Sequence, residues 1–520
     1  MAVPANAAKR DKQAVVPSDL IAQAVANPNQ LFNVIITGRR GVSSANVGDE
    51  VTTAQKGKPG VARGTKRRFK LLNGDSATIS GAQLIELANS KKILSITPDL
   101  PTVPTDFSNT QAWPDAAQLT QYWSHTSDVH APTIAFIDSG IEASNPGFGG
   151  RVQTSVNLYS GAGQNSDGDG FGHGTFTAGL AAGAADGHAG GAPDANIVEL
   201  DVLDDNGGGS TSDLIAACDW IQQNKAQYGI KVVNISVIAS QNSTFMFDPL
   251  DKAVEKLWLN GLTVVTSAGN FANDGAQSGE PFAPANDPFV ITVGASDTNN
   301  TADTSDDFAA PWTAWGPTND GFMKPEISAP GRTLVGPVPA AGSGMQNALP
   351  DRVTEPGYMW MSGTSFAAPV VSAAAAYVLA VHPDWTPDQV KGALMVSAAD
   401  PAGYTQVGAL GVGEVQADAA TQTDGTANPN LGLDQFVSVD PDTGLNAFNS
   451  DTWQTTAQND PTWNSMSWAS MSWASASWSS MSWASMSWAS MSWASMSWAS
   501  MSWASMSWSS MSWASYSQVR

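Results

Sequence analysis

The apolar pattern divides the chain into stretches of different rhythm. Between residues 100 and 422, short apolar runs alternate with longer helical patterns. TIAFIDSG, NIVELDVL, KVVNISVI, GLTVVTSAGN and FVITVGASD are rich in Val and Ile. TSDLIAACDWIQQNKAQYG and DPLDKAVEKLWLNG, which lie between such runs, carry helical spacing. Strands apolar on both sides, alternating with helices, predict an α/β fold: a doubly wound, mostly parallel sheet covered by helices on both faces. Catalytic groups are then expected on loops at the carboxyl ends of the strands.

The flanking stretches read differently. Residues 1–30 are polar and Ala-rich, a flexible leader. Residues 31–99 form a small α+β pattern. LFNVIITG and KRRFKLL are strands, NGD a turn, SGAQLIELANS a helix opened by a Ser cap, and KILSITPDL a closing strand. Residues 423–462, rich in Asp, Asn, Thr and Gln, read as a linker. Residues 463–520 repeat MSWAS, with Trp at every fifth position from Trp463 to Trp513. A period of five turns a helix by about 140° per repeat and reverses faces in a strand, so neither keeps the Trp residues on one side. The expectation is a low-complexity, adhesive tail, a candidate contact to a cell surface.

Composition sharpens this picture. Charged residues make up 14% of the chain and apolar residues 42%, with 48 Gly and 30 Pro. That favours a loop-rich globular protein over a helical bundle or a disordered chain. The net charge of −23 is unevenly spread: residues 1–100 carry 14 Lys and Arg against 7 Asp and Glu, whereas the remainder carries 10 against 40. An acidic body argues against a nucleic-acid partner, and a basic head on it suggests docking by charge complementarity. The single cysteine, Cys218, excludes an intrachain disulfide and sits in an apolar helical stretch as a buried structural residue. No apolar run has the length of a transmembrane span. AVPANAA near the start looks like the small-residue end of a secretion leader, so an apolar segment is expected upstream of it.

Three short motifs carry the chemistry. Asp138 ends an apolar strand in AFIDSG, His173 lies in GFGHGTFTAG, and Ser365 lies in SGTSFAAP at the mouth of an Ala/Val-rich helix. A Ser hydroxyl is a weak nucleophile near neutral pH and needs an adjacent base. His173 fits that base, and Asp138 would fix its tautomer and stabilise its imidazolium. Gly363 lets the backbone approach a ligand closely, and the helix start places the Ser365 N–H where an oxyanion would form. Pro369 falls in the first turns, where a missing N–H is expected to cost little. VVTSAGN ends a strand at Asn270, whose amide could donate to the same oxyanion. Asp167 and Asp169 in NSDGDGFGHGT have the spacing of a short calcium loop, with a solvated acidic turn as the plain alternative.

IDSGI, GHGT, SAGN and SGTSFAAP together resemble the signature blocks of the subtilase family of serine peptidases. The similarity extends over about residues 130 to 420, with PANDPFVITVGASD, KPEISAPG and GVGEVQADAA adding to it. The resemblance implies Asp138, His173 and Ser365 as catalytic triad and Asn270 as the oxyanion donor. Residues 33–99 look, more loosely, like the inhibitory propeptide of that family, a partner in cis removed between Asp99 and Trp113. In relatives Asp169 borders the cleft, and many use calcium as a structural ion; no organic cofactor is required. Ser236–Val237–Ile238 takes the place of a substrate-lining Ser–x–Gly, so Ile238 would narrow the primary pocket. Phe176 stands where many relatives have a second His, a change expected to affect packing only. Similar Trp–Ala–Ser tails occur on bacterial subtilases, implying a bacterial source. The resulting expectation is a secreted, self-inhibited endopeptidase acting on proteins or peptides. Its rivals are an adhesive surface protein using the domain as a scaffold, and a processing enzyme of narrow specificity.

Overall fold

The computed structural model describes residues 14–55, 64–99, 107–124, 128–401 and 408–459. The repeat of residues 463–520 lies outside them. The chain divides into two compact units, Met1–Thr105 and Asp106–Arg520, close to the boundary expected after Asp99.

The first unit contains α1 (Ser18–Ala26), β1 (Leu31–Gly38), α2 (Ser44–Gln55), β2 (Gly64–Phe69), β3 (Gly74–Ser80), α3 (Gly81–Ala88) and β4 (Ile93–Pro98). Its strands form an antiparallel sheet in the order β2-β3-β1-β4. Along β1, Phe32, Val34 and Ile36 alternate inward and meet Val47 and Val51 of α2 and Leu84 and Leu87 of α3. Ser80 caps α3 through a capping box with Gln83, as its sequence predicts. The leader expected over residues 1–30 is corrected from residue 18 onward, because Leu20 and Ala24 of α1 are buried in this core. Helix α2 and strand β3 were not anticipated; both lie in polar, Ser- and Thr-rich sequence.

The second unit is built on an eight-stranded sheet. The elements used below are β5 (Thr133–Asp138), β6 (Val152–Asn157), α4 (His173–Ala182), β7 (Ile197–Asp201), α5 (Thr211–Tyr228), β8 (Ile230–Ile235), α6 (Pro249–Leu259), β9 (Thr263–Ser267), β10 (Ile291–Asp297), β11 (Phe308–Ala309), β12 (Ile327–Pro330), α7 (Thr364–Val381) and α8 (Pro387–Val396). The order is β11-β10-β9-β8-β5-β7-β6, with β12 beside β10, and only the β10–β11 pair is antiparallel. The expected doubly wound α/β architecture is present. Strands β5, β7 and β9 are buried at every residue, which is why their sequences carry no inside–outside alternation. The order reverses around β5, flanked by β7 and β8, so a crevice opens at the carboxyl ends there.

Helix α7 is the one described helix long and apolar enough to cross a bilayer, and 89% of it is buried inside this unit. It is the central core helix. Cys218 on α5 is buried, and that burial pushes its thiol up to about 12.

The linker expected at residues 423–462 is a second correction. Residues 437–439 and 446–448 pair as β13 (Val437–Val439) and β14 (Asn446–Phe448), followed by α9 (Ser450–Asn459). Phe436, Phe448 and Trp453 enter the main core, where Phe448 and Trp453 pack on Phe245. Lys256 on α6 pairs with Asp440 at 3.2 Å.

Candidate active site

Asp138 is the last residue of β5, and His173 is the first of α4. Two glycines allow them to meet. Gly140 has φ +98°, and a Cβ at Gly174 would overlap the Gly140 carbonyl oxygen, so the first turn of α4 sits directly on the loop after β5. The His173 Nδ1 and Asp138 Oδ1 lie 2.7 Å apart, both residues essentially buried. Asp138 Oδ1 also accepts from the Ser139 N–H at 2.8 Å, and Oδ2 from the Thr177 hydroxyl at 3.1 Å. Burial alone would lower the His173 pKa. The charge of Asp138 and its hydrogen bond outweigh burial and raise it above its ordinary 6.5. The carboxylate therefore fixes the proton on Nδ1 and leaves Nε2 as the basic nitrogen.

Asp169 has a role that differs from the calcium reading. Its Oδ1 accepts from Gly172 N–H at 2.6 Å and from the Ser139 hydroxyl at 2.9 Å, and its Oδ2 accepts from Thr175 N–H at 2.7 Å. It caps α4 and fixes the turn that presents His173. Ser139 Oγ accepts in turn from Gly174 N–H at 3.0 Å. Burial pushes Asp169 up to about 7, opposed by these donors. Asp167 is exposed. With both Asp169 oxygens taken by donors, the pair does not form a calcium loop. Among the described residues, no three His, Cys, Asp or Glu side chains are grouped to hold a metal.

Ser365 is the second residue of α7, so its N–H belongs to the first turn and has no partner within the helix. Its hydroxyl donates to the Ser236 carbonyl at 3.1 Å, in place of a bond to His173. The Ser236 hydroxyl donates back to the Ser365 carbonyl at 2.8 Å. That return bond has a cause in the sequence. Pro369, four residues after Ser365, has no N–H for the Ser365 carbonyl, and Ser236 supplies the missing donor. Pro369 lies in the second turn of α7, within the first turns as expected, and its missing N–H is made good from outside the helix. Phe366 packs its ring 5.4 Å from that of His173 and 4.7 Å from that of buried Phe176, whose role is packing.

Asn270 follows β9 and is exposed. Its Oδ1 accepts from the Thr364 N–H at 2.9 Å and the Thr364 hydroxyl at 3.1 Å. Since an N–H must meet an oxygen, these bonds set the amide's orientation and leave Nδ2 free to donate. Nδ2 lies 3.4 Å from where a Cβ on Gly363 would stand. Two unused donors, Asn270 Nδ2 and Ser365 N–H, thus flank the nucleophile.

Of the other expected binding residues, Ser236 is buried and committed to Ser365, and Val237 is also buried. Ile238 is half-buried, and its Cδ1 is 3.4 Å from where a Cβ on Gly269 would be, directly before Asn270. Sequence reasoning missed Ser139, Thr177 and Thr364 as positioning residues. Their signal was adjacency: Ser139 follows Asp138, Thr364 precedes Ser365, and Thr177 lies one helical turn past His173.

The unit that holds these residues is similar to known proteins. Residues 130–432 match the subtilase family, Peptidase_S8. Serine protease AprX of Bacillus subtilis is 33% identical over 268 residues, covering 50% of this chain and 59% of the relative. Subtilisin-like protease 1 of Trichophyton rubrum is 29% identical over 332 residues, 61% of this chain and 57% of that protein. The chain thus spans less than two thirds of the length of either relative. A solved cold-adapted subtilisin-like serine proteinase aligns at 27% identity with a TM-score of 0.42, over 56% of this chain and 93% of the other.

Proposed function

The chain belongs to the subtilase family, and on that premise we propose that it is a secreted serine endopeptidase made as a self-inhibited precursor. The observation that carries the reading is the buried 2.7 Å Asp138–His173 pair beside a serine that opens a helix. In the proposed reaction Ser365 Oγ rotates from the Ser236 carbonyl to His173 Nε2 and gives up its proton as it attacks a peptide carbonyl. Asp138 stabilises the imidazolium that forms. The oxyanion is received by Asn270 Nδ2 and Ser365 N–H. His173 then protonates the leaving amine, and water, activated by the same imidazole, releases the acyl group from Ser365. The chemistry requires no organic cofactor.

The separate N-terminal unit, basic where the body is acidic, supports its reading as a propeptide acting in cis. The uncharged repeat tail supports surface attachment. Ile238 supports a narrowed primary pocket and a selective enzyme.

Purified wild type and Ser365→Ala, incubated and weighed intact, test the precursor reading. Wild type is expected to shed its first ~100 residues, a length set by the sequence boundary near Asp99, and then hydrolyse casein; the variant stays full length. Two intact, inactive proteins would contradict it.

A further inference from the structure

A line of polar side chains runs through the apolar layer between β8 and α7. Asn234 on β8 and Ser236 just beyond it stand two positions apart, so both project to the same face of the sheet. Ser372 lies about two turns after Ser365, on the same side of α7. Asn234 and Ser372 are fully buried, flanked by the equally buried Val233 and Ile235 on the strand and Val371 and Ala373 on the helix. The Ser372 hydroxyl donates to Asn234 Oδ1 at 2.9 Å, and Asn234 Nδ2 donates to the Ser236 hydroxyl at 3.0 Å. That hydroxyl donates in turn to the Ser365 carbonyl at 2.8 Å.

The direction of this line follows from its inner end. A carbonyl oxygen only accepts, so the Ser236 O–H must point at Ser365, which leaves the Ser236 oxygen to accept. The Asn234 group facing it must then be the NH2, and the amide oxygen on the far side needs a donor, which Ser372 supplies. Donors in series thus end on the carbonyl that Pro369 deprives of its helical partner. Bonds arranged this way polarise one another in a low-dielectric interior. As packing alone, apolar side chains in these places would serve about as well. Without Ser372 the Asn234 amide can turn over, and its oxygen then draws the Ser236 proton away from Ser365.

We propose that Asn234 and Ser372 are positioning residues for the nucleophile, acting through Ser236; the proposal rests on the reading of Ser365 as that nucleophile. The line holds the first turn of α7 against the end of β8, at the point where the helix's own hydrogen bonding is interrupted. The same turn carries the Ser365 hydroxyl and N–H. A slackened turn therefore misplaces both, one against His173 and the other against the oxyanion. A shift of about 1 Å is enough to cost up to about 10²-fold in rate. Both residues lie behind the nucleophile and act on it at one remove.

The test is the rate of fluorophosphonate labelling at Ser365, read by peptide mass mapping on purified chains sharing one N-terminus. Ser236→Ala is expected to slow labelling ~10-fold and Ser372→Ala ~3-fold, the range of one lost neutral hydrogen bond. Labelling should still run to one adduct per chain, and kcat on a peptide substrate should fall by the same factors with KM unchanged. Partial unfolding would instead lower the final labelled fraction. Pro369→Ala gives the sharper comparison, because its new N–H can serve the Ser365 carbonyl from within the helix. In that background each substitution should slow labelling less than about twofold relative to Pro369→Ala alone. Equal slowing in both backgrounds would overturn the proposal. A wild type labelled at Ser365 and matched in rate by both variants would overturn it alone, whereas a wild type not labelled there would overturn the peptidase reading with it. If Ser236→Ala fails to fold, Ser372→Ala, which removes a single oxygen atom, decides between the same outcomes.

Discussion

The two halves of the candidate active site are built on opposite plans. Around Asp138 every acceptor is met: a ring nitrogen, an N–H and a hydroxyl fill both carboxylate oxygens, and Asp169 is saturated in the same way. Around Ser365 and Asn270 the acceptors are occupied and two amide donors, Asn270 Nδ2 and the Ser365 N–H, are left free, with Thr364 holding the Asn270 oxygen and Pro369 leaving the Ser365 carbonyl to Ser236. The first half is sealed, so the charge on Asp138 acts on His173 through little water. The second leaves the Asn270 Nδ2 and the Ser365 N–H unspent, the two donors that the proposed reaction assigns to the oxyanion. Rigidity on one side and unspent hydrogen-bonding capacity on the other are what transition-state stabilisation requires.

Breaking the sealed half should have the larger effect. Asp138→Asn keeps the shape but reverses the donor pattern at Nδ1, and kcat is expected to fall about 10⁴-fold, as in other serine peptidases with this change. The pH profile sharpens the point. Catalysis needs neutral His173, whose pKa Asp138 raises, so wild-type activity is expected to fall as pH drops through a value above 6.5. The linked stability runs the other way. The raised His173 pKa contributes stability that is full below 6.5 and is lost as pH rises through the folded value. On the proposed mechanism, activity is therefore expected in the pH range where the charged His–Asp pair no longer helps hold the fold. Asp138→Asn should move the acid limb of kcat/KM to lower pH; an unmoved limb would show that another group sets it.

In the open half, Asn270→Ala removes one oxyanion donor. A loss of about 10²–10³ in kcat is expected with little change in KM, the size measured for this donor in subtilisin itself. A rise in KM alone would instead assign Asn270 to ground-state binding. The smallest effect belongs to the rim. Ile238→Gly should favour larger side chains at the cleaved bond by about 10- to 200-fold in kcat/KM, read from peptide-library cleavage. An unchanged preference would place Ile238 outside the pocket.

The legible parts of the molecule were the local ones. The apolar strands and the helix caps announce themselves within a few residues, and Asp138, His173, Asn270 and Ser365 each sit in a short run of small residues that the geometry needs. What depends on distant partners was hidden. The 423–459 segment is polar enough to read as a linker, yet Phe436, Phe448 and Trp453 suffice to fold it onto the body. Asp169 had the composition of a metal loop, and only the position of the α4 amide groups makes it a cap. The exchange between Ser236 and Ser365 crosses 129 positions, and no periodicity marks such a contact.

The central claim is that His173, held by Asp138, activates Ser365. Labelling with a fluorophosphonate, followed by peptide mass mapping, tests it most directly. One adduct per chain, on Ser365, is predicted in wild type once the N-terminal unit is removed, with labelling slowed by orders of magnitude in His173→Ala. An adduct on another residue, or a rate indifferent to His173, would contradict the account.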